Sequence, residues 1–140
     1  MVSDSKDDVL FLIDNKEEKE TPMAKSILRE KSYRFALRVV NLYKFIVADK
    51  REYVLSKQIL RSGTSIGANV EEAGQGQSKA DFAHKLSVAQ KEAFETAYWL
   101  RLLRDTKYLT PAQADSLIAD CIELQKMLTA SIKTVKGRRG

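Results

Sequence analysis

The chain has 140 residues, 44% hydrophobic and 31% charged, with a net charge of +5, which describes one ordinary globular domain. Its longest apolar run, Val9 to Ile13, is far short of the roughly 18 residues of a membrane span and follows acids, not the basic stretch of a signal peptide. One cysteine (Cys121), one histidine (His84), six glycines and two prolines exclude an internal disulfide, a multi-ligand zinc site and a turn-rich β fold, and predict an all-α protein of a reducing, cytoplasmic compartment that needs no cofactor or metal.

Charge divides the chain. Residues 1–20 hold three lysines against seven acids, a net −4, so the remaining 120 residues carry +9. The first segment is expected to be a disordered acidic tail, or to dock through Val9–Ile13 on an apolar groove of the basic body. Residues 137–140 form a basic end, which leaves 21–136 as the helical domain.

Thr21-Pro22 reads as a helix start, with a capping hydroxyl followed by proline at the first helical position. Helix 1 is predicted from Pro22 to Ala48, with Phe35, Val39, Leu42 and Ile46 at spacings of 4, 3 and 4 and a second stripe of Ala36, Val40, Tyr43 and Val47. Helix 2 is predicted from Glu52 to Ala73 on the seam Leu55, Ile59, Ser62, Ile66, Asn69, Ala73, with Gly74 and Gly76 as terminators. Helix 3 opens at Ser78-Lys79-Ala80-Asp81, a capping-box-like start, and reaches Arg104. Its stripe is Phe82, Leu86, Ala89, Ala93, Leu100 and Leu103, extended by Phe94, Tyr98, Trp99 and Leu102. Thr110-Pro111-Ala112-Gln113 is a full capping box for helix 4, which carries Ala114, Leu117, Cys121, Leu124, Leu128 and Ile132 and ends near Gly137. Four such helices joined by short loops predict an antiparallel up-down-up-down four-helix bundle.

The chemistry-bearing candidates are few. Gly63-Thr64-Ser65-Ile66-Gly67 matches the G-x-S-x-G nucleophile elbow, but that motif needs a strand before it and an acid and histidine after it. Here it sits inside a helical pattern, where two glycines four apart mark a close approach of another backbone. Each glycine costs about 1 kcal/mol of helix propensity, which argues for a packing reason. Glu71 and Glu72 lack the Glu-x-x-His repeats of a di-metal bundle and are expected to ion-pair with Arg61 or with a basic residue of a neighbouring subunit, while Glu92 and Glu95, three apart on helix 3, read as a solvated or interface face. No catalytic residue is expected.

The basic residues are more informative. Lys31, Arg34 and Arg38 follow 3 and 4 spacing and, with Arg29, form a ridge on helix 1; Lys57 and Arg61, and Arg101 and Arg104, make smaller pairs. Such ridges suit sequence-independent phosphate contacts, or else form a solvated face of internal ion pairs.

The string Gln58-Ile59-Leu60-Arg61-Ser62-Gly63-Thr64-Ser65-Ile66-Gly67-Ala68-Asn69-Val70-Glu71-Glu72-Ala73 resembles the signature of the four-helix-bundle proteins encoded in intervening sequences of bacterial 23S ribosomal RNA genes. Ser78-Lys79-Ala80-Asp81-Phe82, Lys91-Glu92-Ala93 and Tyr98-Trp99-Leu100-Arg101-Leu102-Leu103 agree, and the likeness spans about residues 29–130. The resemblance implies a homopentamer, with no catalytic residues to carry over. It implies Arg61, Ser62, Ser65, Asn69 and Glu72 as a polar packing set and Gly63 and Gly67 as close-contact points. The family includes accessory proteins of diversity-generating retroelements, basic pentamers that bind reverse transcriptase and nucleic acid. The resulting expectation is a non-enzymatic, oligomeric, nucleic-acid-binding protein using Arg29, Lys31, Arg34 and Arg38. The alternative is a protein-interaction scaffold for an acidic partner, with no role on RNA or DNA.

Overall fold

A computed structural model describes residues 24–75 and 78–137. Among them are four helices and no strand: α1 (Ala24–Phe45), α2 (Leu55–Ala73), α3 (Lys79–Asp105) and α4 (Pro111–Gly137). The Thr21-Pro22 start, the acidic segment and residues 138–140 lie outside the described residues.

Local chemistry sets the helix ends. After α1 the chain continues through a π-helical turn, Ile46–Lys50, which ends at Arg51 in the left-handed region (φ 53°). Glu52 then receives the backbone N–H groups of Val54, Leu55 and Ser56 at 2.7–3.0 Å. The residue expected to open helix 2 therefore caps it from outside, because its carboxylate satisfies amides that have no partner in a first turn. Ser78 caps α3 by accepting from the Asp81 N–H. At α4 the capping box is complete: Gln113 N–H donates to Thr110 Oγ1 (3.1 Å) and Thr110 N–H to Gln113 Oε1 (2.9 Å).

The helices pack α1 on α2, α2 on α3, α3 on α4, with α1 also meeting α4. Paired residues run in opposite numerical order between α3 and α4: Gln90 with Thr129, Ala93 with Cys121, Arg104 with Asp115. The core holds Phe35, Val39, Leu42 and Ile46 of α1, Ile59, Ile66 and Val70 of α2, Leu86, Leu100 and Leu103 of α3, and Leu117, Leu124 and Leu128 of α4. On α2 the buried face is rotated from the predicted seam. Leu55 and Asn69 are only partly covered, while Ser56, Gly63, Gly67 and Val70 are buried. The glycines explain the rotation. A Cβ on Gly63 would lie 2.7 Å from Val39 Cγ2, and one on Gly67 would lie 3.3 Å from the Ser32 carbonyl oxygen. The glycine face, with no side chain to hold the helices apart, is the one turned towards α1.

Candidate nucleic-acid interface

The expected basic ridge of α1 is a row of internal ion pairs. Arg29 meets Glu71 of α2 (3.4 Å), Lys31 meets Glu123 of α4 (3.5 Å), and Arg34 meets Glu30 one turn back (3.3 Å). Arg34 is largely covered, its side chain 11% exposed. Arg38 departs furthest from expectation. It is 1% exposed, with Nη1 donating to Asp120 (2.6 Å) and Nη2 to Ser116 (2.9 Å) on α4. Arg38 is therefore no surface phosphate contact. It follows Phe35 by three positions and precedes Leu42 by four, so it shares their face and is buried against α4.

The polar string of α2 does local and cross-helix work. Arg61 bridges Glu92 and Glu95 of α3 rather than the expected Glu71 and Glu72, which pair with Arg29 and Lys85, and Glu95 also accepts from Trp99 Nε1 (2.9 Å). The Ser62 and Thr96 hydroxyls share a buried hydrogen bond of 2.9 Å between α2 and α3. Ser65 Oγ donates to the Arg61 carbonyl (2.7 Å), Asn69 Nδ2 to the Ser65 carbonyl (2.8 Å), and Glu72 pairs with Lys85 (2.8 Å). Ser65 is thus a mid-helix hydroxyl bonded back to its own helix, not a nucleophile on a strand-to-helix turn. Cys121 is buried and its Sγ approaches the Ala93 carbonyl oxygen (3.1 Å); burial pushes its thiol up to about 12. Arg104 is hydrogen-bonded to Asp105 and Asp115, which raise its pKa and secure its charge. No group of three or more metal-capable side chains occurs among the described residues, and none of their helices is long and apolar enough to cross a membrane.

A different surface has the character sought on α1. Along α3, Lys91, Phe94, Tyr98 and Arg101 recur at spacings of 3, 4 and 3 and face outward. Phe94 is 56% and Tyr98 49% exposed, and the Arg101 guanidinium lies 5.9 Å over the Tyr98 ring. Trp99 packs edge-on against Tyr98 at 5.1 Å but is itself half-buried. Neither Lys91 nor Arg101 has a carboxylate partner among the described residues. Phe94 and Tyr98 were expected to extend the core stripe. The signal against that lay in their neighbours: Ala89, Ala93 and Leu100 already define the inward face, and 94 and 98 lie off it.

The chain matches the model of the family described as 23S rRNA-intervening sequence protein over residues 24–130. A crystal structure of a protein of unknown function from the S23 ribosomal protein family of Bacteroides thetaiotaomicron is similar, at 55% identity and a TM-score of 0.78, covering 79% of this chain and 99% of that one. No match is found among curated proteins. With more than half its length matched by one family model, this chain belongs to the 23S rRNA-intervening sequence protein family.

Proposed function

We propose that this is a non-enzymatic protein that binds single-stranded or structured nucleic acid, and that its four helices form an antiparallel up-down-up-down bundle assembled as a homopentamer. The observation that carries the binding reading is the outward row of α3. Two half-exposed aromatic rings stand there side by side, flanked by two cations that no carboxylate of the described residues neutralises. Aromatic faces stack on bases of any identity, and Lys and Arg hold the phosphates, so the row suits strand binding with little sequence readout. Repetition of a basic body around a pentamer would multiply its field and steepen the salt dependence. A reverse-transcriptase accessory role is the specific form of this reading suggested by the family resemblance.

The second reading is a scaffold for an acidic protein partner. It is favoured by the ion pairs of Arg29, Lys31, Arg34 and Arg38, which leave α1 little cationic surface to offer a long polyanion. Fluorescence anisotropy separates the two. Labelled single-stranded RNA and duplex DNA are titrated at two salt concentrations with protein whose mass is fixed by light scattering. Binding that weakens steeply with salt supports the nucleic-acid reading; a well-formed oligomer that binds neither probe at low salt supports the scaffold.

A further inference from the structure

A groove of about 750 Å³ opens between the first turns of α3 and the last turn of α4. Ala80, Ala83 and Val135 give it apolar walls, and Lys79, Lys136 and His84 give it a basic rim. The acid of the same α3 turn, Asp81, is not part of the lining, and Glu72 is engaged by Lys85. An apolar cleft between lysines fits a short apolar segment flanked by acids.

The chain carries one such segment. Val9-Leu10-Phe11-Leu12-Ile13 is preceded by Asp7-Asp8 and followed by Asp14, Glu17, Glu18 and Glu20. It also leads into the right end of the molecule. Arg38 of α1 meets Ser116 and Asp120 of α4, and Lys31 meets Glu123, so falling numbers on α1 run alongside rising numbers on α4. Continuing that order to Ala24, where α1 begins, leads to the last turns of α4, the end that carries Val135 and Lys136. The ten residues between Ile13 and Ala24 can reach about 35 Å when extended. Packed helix axes lie only ~8–10 Å apart, so the span across the helix ends is within reach.

We propose that residues 7–14 of the same chain seat in this groove, with the apolar run against Ala80, Ala83 and Val135 and the flanking acids against Lys79 and Lys136. The groove is then a self-occupied acidic-peptide site, and an external acidic peptide must displace the chain's own segment to use it. This inference does not depend on nucleic-acid binding.

The test is zero-length carbodiimide cross-linking of the full chain, which joins carboxylates to amines in contact, read by mass spectrometry. It uses a co-refolded mixture of 15N-labelled and unlabelled protein. Cross-links from Asp7, Asp8 and Asp14 to Lys79 and Lys136, in isotopically uniform pairs, are expected. The double variant Leu10→Ser/Leu12→Ser, which alters no described residue, should lower their yield about tenfold by removing the apolar contribution. Undiminished yield in that variant would mean mere tethering and overturn the proposal. So would cross-links spread evenly to Lys44, Lys57 and Lys107 at the other end, or mixed-isotope pairs at the roughly one-half share that random pairing of chains in an equal mixture gives, which would place the segment on a neighbouring chain.

Discussion

Arg38 and Asp120, 82 positions apart in the chain, form a 2.6 Å ion pair that ties α1 to α4, with the arginine almost wholly withdrawn from water. A buried guanidinium is held in place by what neutralises it, and removing the acid leaves a charge in a poor medium. Asp120→Ala should therefore destabilise the fold by about 3 kcal/mol in urea unfolding. Joint replacement by Arg38→Met and Asp120→Leu should recover most of that loss. A single variant as stable as the parent would show that the pair carries no such burden.

The approach of α1 to α2 at Gly63 makes an opposite-sign prediction to helix propensity. Alanine would gain about 1 kcal/mol as a helix former. Its Cβ, however, would sit 2.7–2.8 Å from both Val39 methyls. Gly63→Ala should lower the melting temperature, and adding Val39→Ala should reverse part of the loss. Gly74→Ala, where the nearest atom is a carbonyl oxygen at 3.4 Å, serves as the tolerated control.

The Arg61 bridge to Glu92 and Glu95 is half-exposed, and exposed pairs contribute little. Glu95→Gln should change stability by less than about 1 kcal/mol. It should nonetheless shift the fluorescence of Trp99, whose Nε1 donates to that carboxylate. Unchanged emission would remove the indole contact.

Cys121 has its thiol pushed up to about 12 from an ordinary 9.0 because burial disfavours the thiolate. The neutral thiol is the form the fold prefers, so its contribution to stability is full below pH 9 and is lost as pH rises towards 12. Reaction with a disulfide reagent at pH 8 should be slow in the native protein and fast in urea. Rapid native labelling would contradict the burial.

The helices were legible because their signals are local. The capping box at Thr110–Gln113, the Ser78 cap and the 3–4 spacing of Phe35, Val39, Leu42 and Ile46 need no knowledge of the rest of the chain. The candidate site was less so. Arg38 looks like its neighbours Arg34 and Lys31 in the sequence, and only its distant partners on α4 bury it. The rotation of α2 depended on how closely α1 approaches Gly63 and Gly67, which spacing alone does not give. Phe94 and Tyr98 read as core because aromatic residues usually are, and the packing of Ala89 and Ala93 leaves them outside instead.

The central claim, that polyanion binding resides on the α3 row and not on the α1 ridge, is tested most directly by comparing two charge reversals in RNA anisotropy across a salt series. Lys91→Glu/Arg101→Glu should weaken binding about tenfold or more and reduce the salt slope by roughly 2, with the oligomer mass unchanged. Lys31→Glu/Arg34→Glu, altering cations already paired with Glu123 and Glu30, should leave affinity within about threefold after allowance for net charge. Full affinity in the α3 variant, with loss in the α1 variant, would contradict the account.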